Sequence, residues 1–109
     1  MITLLSFAYK KGVPLVDHVF DCRTIPNPHH VPTLRDLTGR DEPVQHYVTL
    51  SAATDEITTQ AARRIMEGAE HLAFGCYGGR HRSVAVAELV GRSLKRYGIP
   101  HVIVHRELK

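Results

Sequence analysis

Short apolar blocks alternate along the chain with polar ones that carry glycine or proline. Residues 2–8 (Ile-Thr-Leu-Leu-Ser-Phe-Ala) are apolar enough for a buried strand, which Lys10-Lys11-Gly12 breaks. A second short strand is expected over 18–23, around Val19 and Phe20. Pro26, Pro28 and Pro32 fall within 24–32, where fixed φ angles and missing N–H groups argue against regular structure. Asp41-Glu42-Pro43 reads as a helix start running to Tyr47, with Asp41 as cap and proline in the first turn. Across 51–70, Ile57, Ala61, Ile65 and Met66, joined by Ala62 and Ala69, recur at the spacing of an amphipathic helix, capped by Ser51 or Thr54. A buried strand follows at 71–75. Val86, Val90, Leu94 and Tyr97 then form one stripe of a helix over 83–97, stopped at Gly98. The β-branched Val102-Ile103-Val104 closes with a strand over 101–105. Strands alternating with helices predict a single three-layer-type α/β domain, a small, largely parallel sheet of about four strands flanked by helices.

Composition narrows the class further. The 109 residues, 43% hydrophobic and 23% charged, suit one globular domain spanning 1–109 and exclude disordered and fibrous classes. No apolar stretch is long enough to cross a bilayer, and the opening residues lack the basic and apolar regions of a secretory signal. A cytoplasmic location without a membrane partner is therefore expected. Two cysteines, Cys22 and Cys76, make no disulfide framework and fit a reducing compartment. The net charge of +3 admits an anionic partner without demanding nucleic acid.

The sharpest chemistry lies in Gly75-Cys76-Tyr77-Gly78-Gly79-Arg80-His81-Arg82-Ser83, between an expected strand and the first turn of an expected helix. Glycines there let consecutive N–H groups converge, and the helix N-terminus adds positive potential, so residues 77–83 can cradle a phosphate. Arg80, His81 and Arg82 add donors, and Arg82 can grip a phosphate bidentately. A plain strand-to-helix turn also needs glycine, but not the cationic side chains beside it. The loop after the second strand presents Arg23, Asn27 and His29, stiffened by proline. In a parallel sheet both loops leave the same edge, which makes a composite pocket with Asn27, His29 and Arg23 on the side away from the phosphate.

The other histidines and basic residues give weaker signals. His101 and His105 share a strand face but lie about 13 Å apart, too far to share an ion. A His29–His81 metal pair lacks an evident third ligand, so neither a metal nor a cofactor is expected. Arg92, Lys95 and Arg96 form a cationic strip on the last helix, usually a solvated face. With only 6% aromatic residues and none interleaved with that strip, any nucleic acid would be held through phosphate or duplex shape.

Asp21-x-Arg23 with Pro26-Asn27-Pro28-His29, Leu37-Thr38-Gly39, Pro43-Val44, Gly75-Cys76-x-Gly78-Gly79-x-His81-Arg82-Ser83-Val84 and a closing His105-Arg106 together resemble the C-terminal domain of the RapZ family, from about Ser6 to Lys109. The resemblance implies a non-enzymatic bacterial adaptor domain associated with RNA binding, self-association into a homo-oligomer, and sensing of glucosamine-6-phosphate. By resemblance His29, Gly78, Gly79, His81, Arg82 and Ser83 would line the phosphosugar pocket, with Tyr77 where the family often has Thr. Arg92, Lys95, Arg96, Arg106 and Lys109 are the candidate RNA contacts. The family's nucleotide-binding domain, with its glycine-rich loop and Lys, has no counterpart here, so ATP or GTP binding is not carried over. A rival of a different class is a cysteine-dependent phosphatase. Cys76, Gly79, Arg82 and Ser83 stand as in a Cys-x-x-Gly-x-x-Arg-Ser loop, in which a thiolate attacks phosphorus. Against it, Gly75 stands where His is usual, and Asp36 and Asp41 lie in no recognisable general-acid loop.

Overall fold

The computed structural model describes residues 1–108. Four strands, β1 (Ile2–Ala8), β2 (His18–Asp21), β3 (His71–Cys76) and β4 (His101–His105), form one parallel sheet in the order β2-β3-β1-β4. Three helices, α1 (Glu42–Thr49), α2 (Ala52–Met66) and α3 (Arg82–Arg96), complete the fold, which is α/β as the alternation predicts. Most bounds fall within two residues of the sequence reading, and three departures have a local reason. β2 ends at Asp21 because the Asp21 carboxylate turns back to accept Arg23 N–H at 2.9 Å, although Cys22 N–H still reaches Gly75 O. α2 stops at Met66, since Gly68 adopts φ +103, a conformation a helix cannot continue through. The proline-rich stretch is not wholly irregular: Pro28–His30 form a 3₁₀ turn, with Pro28 at its first position and the Asn27 side chain accepting His29 N–H at 3.1 Å.

Strand order dictates where the layers fall. The crossovers from β2 to β3 and from β3 to β4 travel the same way across the sheet, so right-handedness puts α1, α2 and α3 on one face. There Leu4, Leu72 and Phe74 pack with Val86, Val90 and Leu94 of α3 and Val44 and Val48 of α1 to make the core. The link from β1 to β2, residues 9–17, travels the opposite way and supplies the layer on the other face. Its Tyr9 ring lies edge-on to Phe7, with centroids 4.9 Å apart. That third layer is thin, and Val19, Val102 and Val104 stay 38%, 43% and 45% exposed beneath it.

A buried polar chain pins the sheet to α3. His105 Nδ1 lies 2.6 Å from Ser6 Oγ, and His105 Nε2 lies 2.6 Å from Glu88 Oε2. Ser6 is fully buried, so losing its hydroxyl leaves a ring nitrogen without a partner and without water. Ser6→Ala should cost about 1–3 kcal/mol, read as a lowered midpoint in urea unfolding with an unchanged slope.

Candidate functional site

At the C-terminal edge of the sheet, neighbouring strands β1 and β3 send their connections in opposite directions. This is the topological switch point where open α/β sheets leave a crevice. A cavity of about 520 Å³ occupies it, lined by Lys10 after β1, Asn27, His29, Arg35 and Asp36 after β2, and Cys76, Tyr77, Gly78, Arg80, His81 and Arg82 after β3. Parallel register explains the convergence: Ala8 pairs with Cys76 and Asp21 with Gly75, so all three loops begin at one level.

The loop after β3 closes on itself. The Cys76 thiol donates to Ser83 Oγ at 3.1 Å, and Ser83 N–H donates to Cys76 Sγ at 3.4 Å, so residues 77–82 form a ring. Among the described residues the N–H groups of 77–81 make no hydrogen bond, and they precede the N-terminus of α3. Gly79 supplies the turn at φ +70, where a Cβ would also sit 2.9 Å from the Ala8 nitrogen. From the other side the 37–39 segment clamps the ring: Gly39 N–H donates to Arg80 O at 2.9 Å. A Cβ on Gly39 would meet the Ala85 backbone nitrogen at 2.2 Å.

Arg82 is 7% exposed, yet part of its guanidinium is unused. Nη1 donates to Arg23 O at 3.0 Å and Ile25 O at 3.1 Å, whereas Nε has no partner among the described residues. His81 Nε2 lies 3.2 Å from Arg35 O, which can only accept, so this nitrogen carries the proton. Burial holds the His81 imidazole below its ordinary pKa, against the upward pull of the Arg35 and Leu37 carbonyls. Burial likewise pushes the Cys22 thiol up, with Cys76 and Asp21 adding to the shift.

Of the residues singled out from sequence, Tyr77, Gly78, Arg80, His81, Arg82, Asn27 and His29 line the cavity. Gly79 and Ser83 shape it from beneath, Ser83 being fully buried. Arg23 is not in its lining: it forks onto Asp21 through Nε and Nη2 at 2.9 and 2.8 Å and covers the Tyr9 ring at 3.8 Å. That hydrogen bonding holds the Asp21 carboxyl below its ordinary range. Lys10, Arg35 and Asp36 also line the cavity, and sequence reasoning does not place them there, because none lies in a periodic or glycine-rich segment. The candidate RNA contacts stand away from the cavity. Arg92 Nη2 donates to Gln45 Oε1 at 2.6 Å, and Lys95 and Arg96 are exposed on α3. Arg106 instead ties the chain to β1, through Ala8 O at 3.3 Å and Gly12 O at 2.7 Å, and Lys109 lies outside the described residues. The His29 and His81 rings are 6.4 Å apart, and no group of three or more His, Cys, Asp or Glu suited to a metal occurs among the described residues. No helix there is long and apolar enough to cross a membrane.

The whole chain, residues 1–109, matches the family model described as the RapZ C-terminal domain. Among curated proteins it is similar to a nucleotide-binding protein of Thermobifida fusca, 43% identical over 116 residues, which cover 96% of this chain and 40% of the relative. A nucleotide-binding protein of Parafrankia is 46% identical over 97% of this chain and 40% of its own length. A third, from Thermodesulfovibrio yellowstonii, is 39% identical over 98% of this chain and 42% of its own. The chain thus spans about two fifths of these relatives.

Two predictions follow from the ring and its clamp. Gly39→Ala drives a Cβ into backbone and should cost about 1–3 kcal/mol or more, whereas Gly78→Ala, with open space around it, should leave the urea midpoint near that of the parent. Because the folded His81 pKa is depressed, the unfolded chain binds more protons as pH falls through the ordinary imidazole range. Stability should therefore drop between pH 7 and 5.5, and His81→Gln should flatten that slope in paired unfolding curves.

Proposed function

Because the chain belongs to the family of the RapZ C-terminal domain, we propose that it is an adaptor-type binding domain whose cavity takes a phosphorylated small molecule, in particular an amino-sugar phosphate of the glucosamine-6-phosphate type. One observation carries this: a buried guanidinium whose Nη1 is spent on two backbone carbonyls while its Nε edge is left over, beside a ring of unused N–H groups. A desolvated cation with spare donors is costly unless an anion completes it. Phosphate suits the ring because it accepts several N–H groups while offering two oxygens to the guanidinium edge. Arg80 and Lys10 add positive potential around it.

The far side of the cavity supports the sugar and amine parts of the proposal. Asn27 and His29 offer hydrogen-bonding groups for hydroxyls, and Asp36 is a carboxylate without an ion-pair partner among the described residues. An ammonium group on the ligand gives Asp36 that partner. RNA, as a second partner, would meet the exposed Lys95 and Arg96 through its phosphates, and a homo-oligomer would cover the apolar face around Val19, Val102 and Val104.

The test is a calorimetric titration with glucosamine-6-phosphate, glucose-6-phosphate and glucosamine. Arg82→Ala should weaken the two phosphates by about 1.5–3 kcal/mol each. Asp36→Asn should weaken glucosamine-6-phosphate selectively, leaving glucose-6-phosphate close to parent affinity. Equal binding of glucosamine and its phosphate would refute the anion site.

A further inference from the structure

Phosphate bound in the ring would lie against a sulfur. Cys76 ends β3 at the base of the ring and lines the cavity. Its Sγ is met by two groups of Ser83, the backbone N–H at 3.4 Å and the hydroxyl at 3.1 Å, at the first turn of α3. Each is a donor that a thiolate can use, since the hydroxyl is free to reverse its hydrogen bond once the sulfur loses its proton. Cys22 offers the contrast within one fold. Also buried, its thiol donates to the Phe20 carbonyl at 3.9 Å, and burial pushes its pKa up.

A second observation marks a phosphoryl site beside Cys76. Arg82, five residues further on, is more than nine-tenths buried, lines the same cavity, and holds an Nε that nothing among the described residues satisfies. Cys76 and the guanidinium thus line one cavity, beside a ring of unused N–H groups, the set of groups that a transferring phosphoryl group calls for.

We propose that Cys76 is a nucleophile and that the pocket, resting on the phosphate reading above, also hydrolyses phosphate monoesters with good leaving groups. The thiolate attacks phosphorus, the S–P bond forms and the P–O bond to the leaving group breaks. The departing oxygen keeps the bond pair and takes its proton, where it needs one, from solvent in the open cavity. Water then attacks the phosphocysteine, the S–P bond breaks, and inorganic phosphate leaves as the thiolate re-forms under the Ser83 donors. The sum is ester plus water giving alcohol plus phosphate, without any change of oxidation state. Aryl phosphates are the substrate class because their leaving groups need no strong acid, whereas alkyl sugar phosphates leave poorly and are bound far longer than they are turned over. Binding and slow transfer therefore coexist in one pocket.

The experiment uses p-nitrophenyl phosphate, read by nitrophenolate release and by intact mass for one added phosphoryl group. Inorganic phosphate binding is followed in parallel by ³¹P NMR. Loss of release in Cys76→Ser with phosphate binding retained supports the nucleophile. Ser83→Ala should slow breakdown of the phosphocysteine about 10- to 100-fold, so that the phosphoryl adduct accumulates rather than disappears. Phosphate binding without release and without adduct overturns the nucleophile and leaves the binding function standing. Neither binding nor release overturns both, and equal release by Cys76→Ser overturns the assignment to Cys76.

Discussion

A guanidinium cannot be buried without partners, and Arg82 finds two of them 57 and 59 residues back along the chain. Those hydrogen bonds to Ile25 O and Arg23 O bind the loop after β2 to the first turn of α3. They hold the side chain so that Nη1 is spent on the protein, while Nε is left without a partner among the described residues. Without this tie the two halves of the cavity would be separate surface loops, each free to move with its own strand. The geometry elsewhere supports the same junction. Gly39 lets its segment touch the helix backbone, Asn27 fixes the 3₁₀ turn that carries His29, and His81 reaches Arg35 O across the gap. Arg35 in turn donates through Nε to His29 O at 2.9 Å, so the wall of the cavity is stitched mostly through main-chain oxygens.

Much of this was legible in the sequence because it is local. Apolar spacing located the four strands, α2 and α3, Asp41-Glu42-Pro43 marked the start of α1, and the glycine-rich passage before Ser83 marked the turn from β3 into α3. What was not legible depends on distance through space. Arg35 and Asp36 join the site because the 3₁₀ turn and the Gly39 clamp fold that segment over the edge, and nothing in its composition predicts such a path. Arg106 reads as a surface cation, yet it holds the carbonyls of Ala8 and Gly12 and stacks over Phe7 at 5.5 Å. Ser83 reads as a phosphate ligand, whereas its hydroxyl faces the sulfur beneath the ring. In each case residue type was read correctly as polar chemistry and the partner was what sequence could not supply.

The relatives differ from this chain in extent, being about two and a half times as long, while the matched portion carries the complete cavity. Every residue lining the cavity comes from the loops of one sheet edge. On the opposite side of the sheet from the helices, the thinly covered valines Val19, Val102 and Val104 add a half-exposed apolar surface.

Strand order has a kinetic consequence as well. β1 is the first strand in the chain but sits inside the sheet, and both its neighbours, β3 and β4, come from the last forty residues. During synthesis this largely apolar seven-residue strand must wait, unpaired, until residues 71–76 and then 101–105 have left the ribosome. Parallel pairing over such separations closes large loops before any ladder energy is gained, which makes folding slow and late. The nascent chain is therefore most exposed to aggregation or chaperone capture in the interval before β4 arrives.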